Sequence, residues 1–114
     1  MDVKIDRHDP LQLHLQAAAT IRRAIADGEA KPGERLPPAK DLAAILGINT
    51  NTVLRALREL RDEGLVEFRR GRGITVSGTP EQGAVVTQAK ELIEFARQHG
   101  YTRAEVAHLI QRLA

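Results

Sequence analysis

Val53, Ala56, Leu57 and Leu60 recur at i, i+3, i+4 and i+7, a spacing that lays one apolar stripe along a helix turning ~100° per residue. Asn49 is a good N-cap ahead of that stripe, and Gly64 is placed to end it in a left-handed turn. Nearly opposite the stripe fall Asn51, Arg55 and Arg58, with Thr50 and Thr52 flanking them near the N-terminal end. A shorter helix is predicted from Pro38 to Gly47, with Leu42, Ile45 and Leu46 as its buried stripe and Gly47 turning the chain into Asn49. A longer one is predicted from about Asp9 to Asp27, capped by Asp9 with Pro10 in its first turn, or starting near Gln12. Ahead of it, Val3 and Ile5 alternate with polar residues, as in a short strand or a flexible arm. Lys31 to Pro37 forms a turn that delivers Leu36 to the core.

After Gly64 the period changes. Leu65–Phe68 and Ile74–Val76 are β-prone runs around Arg69-Arg70-Gly71-Arg72-Gly73, and the two glycines allow the positive backbone angles of a tight hairpin. Past Ser77-Gly78 a helical pattern returns. Thr79 and Gln82 have the spacing of a capping box, Gly83 weakens the first turns, and Val85, Ala89, Leu92, Ile93 and Ala96 make a stripe that stops at Gly100. Thr102 and Glu105 form a second capping box, Tyr101 and Val106 a hydrophobic staple, and Val106, Leu109, Ile110 and Leu113 a last apolar face. The domains expected are therefore residues 1–78 and a helical hairpin over 79–114.

The chemistry follows from what these elements carry. A helix, a glycine turn and a second helix make a helix-turn-helix, in which the second helix enters the major groove and the first crosses the backbone. The groups at the N-terminal end of the second helix are those that recognise base edges: Asn to adenine, Arg to guanine, the Thr methyl to thymine. Lys40, in the first turn of the leading helix, is placed to reach a phosphate, and Arg70 and Arg72 project from the hairpin tip. Taken singly, the polar helix face could be solvated surface and the hairpin tip an ordinary turn. Their succession between residues 48 and 76 argues for a recognition helix followed by a wing.

The pattern from Ile21 to Val76 resembles the GntR family of bacterial winged helix-turn-helix regulators. The carrying pieces are IRRAI at 21–25, DGEAKPGERLP at 27–37, DLAAILGI at 41–48, NTNTVLRALRELRDEGLV at 49–66 and RRGRG at 69–73. The form of residues 49–56 and the short tail are similar to the YtrA subgroup. The family usually has Arg where Lys40 stands, and YtrA-like chains often have Pro, Tyr and Pro where Gln12, His14 and Thr50 stand. The resemblance implies a mainly α fold with a small β-hairpin wing: a winged helix-turn-helix domain plus a two-helix dimerisation tail. It also implies a homodimer on double-stranded DNA, binding an inverted-repeat operator as a repressor. The DNA-binding residues expected are Lys40, Asn49, Thr50, Asn51, Thr52, Arg55, Arg58, Arg70, Gly71 and Arg72. Those expected to dimerise are Leu92, Ile93, Ala96, Val106, Leu109, Ile110 and Leu113.

Composition narrows the alternatives. At 114 residues and 3% aromatic content the core must be modest and aliphatic, built from Ile21, Ile25, Leu42, Ile45, Leu46, Val53, Leu57, Leu60 and Leu65. The formal net charge is only +2, so binding must depend on where charge sits. Between residues 55 and 72 stand six arginines (55, 58, 61, 69, 70 and 72) against Glu59, Asp62, Glu63 and Glu67, acids mostly remote from the reading end. With no cysteine, neither disulfides nor thiolate zinc sites are available. The four histidines (8, 14, 99, 108) have no metal or catalytic spacing, and Glu91 and Glu94 form a solvated helix edge. No enzyme, cofactor or metal is expected, and no apolar run reaches membrane-spanning length, so a cytoplasmic location is expected. The tail's apolar surface could fold back onto its own domain, but a dimer is favoured because one short half-site binds weakly. An unidentified small-molecule effector would need a cleft between winged domain and tail. The competing readings are a winged-helix protein-interaction module and non-specific DNA architecture.

Overall fold

The computed structural model describes residues 13–113, in the order α1 (Leu13–Ala26), α2 (Ala39–Leu46), α3 (Thr50–Asp62), β1 (Val66–Arg69), β2 (Gly73–Val76), α4 (Pro80–Gln98) and α5 (Arg103–Leu113). The fold is a winged helix-turn-helix with a C-terminal helical pair. The sites expected at Val3, Ile5, Asp9, Pro10 and Gln12 lie outside the described residues.

The core is aliphatic and sits between α1, α2, α3 and the hairpin. Ile21, Ile25, Leu42, Val53, Leu57, Leu60 and Leu65 are fully shielded from solvent. Ile45 does not join them. It is 54% exposed, while Ala43 is buried beside Leu42 and Leu46. Ile45 stands three residues from Leu42 and Ala43 three from Leu46, so either fits a helical stripe, but α2 meets α3 through the Leu42–Ala43–Leu46 side, which turns Ile45 outward.

Each helix end has an identifiable cause. The Asn49 side chain accepts from the Thr52 N–H at 2.8 Å, capping α3. At the other end Gly64 has φ +80°, its N–H donates to the Arg61 carbonyl and the Leu65 N–H to the Leu60 carbonyl. That is a Schellman stop, and it drops Leu65 into the core. Both expected capping boxes form, Thr79 with Gln82 on α4 and Thr102 with Glu105 on α5.

β1 and β2 pair antiparallel from Val66↔Val76 to Arg69↔Gly73. Arg70, Gly71 and Arg72 are left as the tip, with φ +78° at Gly71 and +73° at Gly73. The segment before α2 is more than a turn. It lies along the free edge of β2, with Gly33 N–H donating to Val76 O at 2.8 Å, Val76 N–H to Glu34 O at 2.9 Å, and Leu36 N–H to Ile74 O at 2.8 Å. These bonds hold Leu36, which is buried as expected, and stiffen the wing from its outer side.

The tail divides its apolar residues between two duties. The first half of α4 packs on α1 through Gly83, which is buried, and Val86, which is half-buried against the core. Gly83 is therefore the crossing point of two helices, where a side chain has little room, and the helix runs through it unbroken. The expected stripe faces elsewhere: Val85 is 68% exposed and Leu92 44%. α5 then folds back beside α4 and buries Val106 and Ala96.

Candidate nucleic-acid interface

The N-terminal end of α3 is open and uncommitted on one side. Asn51, Arg55 and Arg58 are exposed, Thr50 is half-buried, and none of the three polar or charged heads is held in an ion pair among the described residues. Asn49 and Thr52 differ. The Asn49 oxygen accepts from both the Thr52 N–H and, at 3.0 Å, the Thr52 hydroxyl. That oxygen is committed to the cap, so Asn49 has only its amide NH₂ left to offer, and Thr52 its methyl and the lone pairs of its hydroxyl. Lys40 is exposed on α2, and Arg70, Gly71 and Arg72 are exposed at the wing tip.

The arrangement sorts charge. Glu59, on the second half of α3, and Glu63, its C-cap, turn away from its N-terminal end toward α1 and α4. Arg22 of α1, 4% exposed, donates to Glu63 through Nε at 2.8 Å and Nη2 at 2.7 Å, a bidentate clamp. Lys90 of α4 lies 3.3 Å from Glu59 and 3.1 Å from Glu63. Asp62 is 3.5 Å from Arg61, and Glu67 2.7 Å from Arg69. All four acids of this stretch are thus paired. Six arginines shrink to four open ones, since Arg69 is held by Glu67 and Arg61 also sits 5.2 Å over the ring of Phe68. The basic surface is narrower than a residue count implies, consisting of Arg55, Arg58, Arg70 and Arg72 with Lys40 on α2.

Sequence reasoning missed Arg22 and Lys90. Arg22 carried a readable signal, because it stands beside Ile21 on the stripe of α1 that the core occupies, and a cation at a core position requires a partner. Lys90 carried none, since its partners are 27 and 31 residues earlier in the chain.

At the far end, α4 and α5 enclose an open apolar cleft. Leu92, Phe95, Ala96, Val106, Leu109, Ile110 and Leu113 line it, with Tyr101 and His99 at its edge. Phe95 and His99 stack with ring centroids 4.5 Å apart. Of the residues expected to dimerise, Leu92, Leu109, Ile110 and Leu113 are exposed, Ile93 is half-buried, and Ala96 and Val106 are buried between the two helices. A shallow hollow between winged domain and tail, bounded by Glu63, Gly64, Glu81, Gln82, Val85 and Val86, is the place the expected effector cleft would occupy. Among the described residues, no three His, Asp or Glu side chains gather as a metal site, and no helix is long and apolar enough to cross a membrane.

Known proteins resemble this chain in sequence and in fold. A family model described as bacterial regulatory proteins, gntR family, matches residues 13–76. The chain is 38% identical over 106 residues to the HTH-type transcriptional regulator Rv1152 of Mycobacterium tuberculosis, covering 92% of this chain and 84% of that protein. It is 36% identical over 75 residues to the HTH-type transcriptional repressor YtrA of Bacillus subtilis, covering 66% of this chain and 58% of that one. Among solved structures, YtrA from Sulfolobus acidocaldarius, a GntR-family transcription factor, is similar with a TM-score of 0.60 and 31% identity over 97% of this chain and 95% of that chain.

Proposed function

The chain belongs to the GntR family of bacterial regulatory proteins, in its YtrA-like subgroup, and from that premise we propose that it is a dimeric repressor acting on an inverted-repeat operator. Membership makes it a sequence-specific DNA-binding regulator and not an enzyme. The division of labour proposed here assigns DNA reading to residues 1–78 and dimerisation to residues 79–114.

The observation that carries this reading is the sorting of charge. Every acid between residues 55 and 72 is paired, and the reading end of α3 is left with open amide, hydroxyl and guanidinium groups. In this proposal Thr50, Asn51 and Arg55, with Thr52, Arg58 and the Asn49 amide beside them, read base edges in the major groove. Lys40, Arg70, Arg72 and the Gly71 backbone hold phosphates and so set register. The second support is the apolar cleft of the tail. Leu113 at 75% exposure and Ile110 at 50% are the kind of surface that a second copy of the same chain covers. A two-fold pair would then present two α3 helices to successive major grooves about 34 Å apart. The repressor reading follows the Bacillus subtilis relative, which is named as one. A small-molecule effector would act from the hollow between α3 and α4.

The test is selection from random duplexes at two salt concentrations, followed by sequencing. Enrichment of two inverted half-sites at fixed spacing is the expected result. Uniform binding that collapses with salt would replace the operator reading with an architectural one. Failure to bind duplex at either salt, alongside a stable complex with another protein, would favour an interaction module.

A further inference from the structure

Arg35 is absent from the recognition surface described above, yet the fold places it on the wing. The segment 33–36 is bonded along the free edge of β2, and Leu36 points into the core. Neighbouring side chains on an extended strand face opposite ways, so Arg35 is turned to the outer face, where it is exposed. Its guanidinium lies across Gly73. A Cβ built on that glycine would be 3.4 Å from both Nε and Nη2 of Arg35. At that distance the guanidinium packs over Gly73, the β2 residue next to the tip.

The electrostatics leave that guanidinium open. The acid on this face is Glu67, and its carboxylate is held by Arg69 at 2.7 Å. Arg35 and Arg72 have no acidic partner among the described residues. With Thr75 and the Glu67–Arg69 pair, they border one shallow, solvent-open hollow on the outer face of the wing. Two unpaired guanidinium groups with a hydroxyl beside them form a site for a tetrahedral oxyanion, which the planar fork of arginine grips through two parallel hydrogen bonds.

We propose that this hollow holds a backbone phosphate of the bound duplex, gripped by Arg35 and Arg72, so that Arg35 is a DNA-binding residue supplied by the strand before α2. The proposal rests on the DNA-binding reading of the chain, and its experiment separates the two. Binding of wild type, Arg35→Gln and Arg35→Lys to the selected duplex and to a scrambled one is measured over a series of salt concentrations. Losing one phosphate contact lowers the slope of log K against log salt by about 0.9 on B-form DNA. Arg35→Gln is expected to lose that much on both duplexes alike, keeping the ratio between them, while Arg35→Lys keeps the slope at reduced affinity. Unfolding midpoints of all three proteins establish that the exposed substitutions leave the fold intact.

A wild-type slope in Arg35→Gln overturns the proposal and leaves the DNA-binding reading standing. So does loss of the preference for the selected duplex, which would make Arg35 a base reader. An unchanged slope, with inorganic phosphate bound by wild type and not by Arg35→Gln, would assign the hollow to a free anion instead. Failure of wild type to bind any duplex would overturn both readings together.

Discussion

Replacing Gly83 by alanine sets two effects of similar size against each other. Alanine is the better helix former by about 1 kcal/mol at an interior position, so propensity alone predicts a gain. Packing predicts a loss. The new Cβ would lie 3.0 Å from the Ala26 nitrogen, 3.2 Å from the Ala26 Cα and 3.2 Å from Ile25 Cγ2. Two of these are backbone atoms at the end of α1 and cannot rotate away. The third belongs to a fully buried side chain. Relief must come from separating α4 from α1 by a few tenths of an ångström over their contact. Overpacking of this kind costs about 1–3 kcal/mol, so the expected balance is a net loss of up to about 2 kcal/mol. Urea unfolding followed by helical circular dichroism, at one fixed protein concentration, measures it as a lowered midpoint at unchanged slope. Ala84→Gly calibrates the other effect, because Ala84 is the exposed neighbour on the same helix and its substitution costs propensity alone. If Gly83→Ala raises stability by what Ala84→Gly removes, the close approach of α1 and α4 is not there, and the argument fails.

Other perturbations address different parts of the molecule. Arg22→Met strands the Glu63 carboxylate, whose side chain is 11% exposed. Removing one member of a buried pair costs about 3–5 kcal/mol, and Lys90 at 3.1 Å holds the expected value to the low end of that range. Arg22→Met with Glu63→Leu should recover most of it, and a double variant as unstable as the single one would show that the pair is not the cause. Arg55→Ala is expected to cost about 1–3 kcal/mol of operator binding and to relax specificity at one position, whereas Arg72→Ala weakens all duplexes alike. Equal effects of both variants on specific and random DNA would remove the distinction between base reader and phosphate holder. The backbone N–H of Thr102, and then its hydroxyl, hold the Glu105 carboxyl below its ordinary range. A lowered folded value means that the cap's contribution is complete above the unfolded pKa of about 4.3 and is lost as pH falls through the lower folded value. Amide protection in the first turn of α5, taken relative to the intrinsic exchange rate at each pH, should fall over that acid window, and Glu105→Gln should make it insensitive to pH there.

Much of this fold was legible in the chain because its signals are local. The stripe Val53–Leu60, the caps Asn49, Thr79 and Thr102, and the stops Gly64 and Gly100 each depend on residues within a few positions of one another, and the structure has all of them. Where expectation and structure part, the missing information is long-range. Ile45 has the spacing of a core residue, and only the side on which α3 meets α2 decides against it. Gly83 looked like a weak point by propensity, and only the crossing with α1 explains its place. The candidate recognition surface shows the same division. Its candidate donors come from the α3 pattern, but the withdrawal of Arg61 and Arg69 into local pairs, and the arrival of Arg35 across Gly73, follow from side-chain geometry on the wing.

The attachment of α4 to its own winged domain bears on how two half-sites could be counted. α4 is pinned at Gly83 against Ala26 and, seven residues and about 10 Å further along its axis, at Lys90 against Glu59 and Glu63. Two anchors on one rod tie the winged domain closely to the proposed dimer seam. In the dimer proposed above, the second half-site is therefore met at a high effective concentration only when its distance and rotation suit the rod. A flexible tether would spread that advantage over many spacings, whereas a pinned helix concentrates it on one. One base pair inserted between half-sites turns the second by about 34°, since B-DNA repeats every 10–10.5 base pairs. Avidity, measured as the ratio of affinity for the paired site to that for a single half-site, should collapse at that insertion and return in part only when a full helical turn has been added.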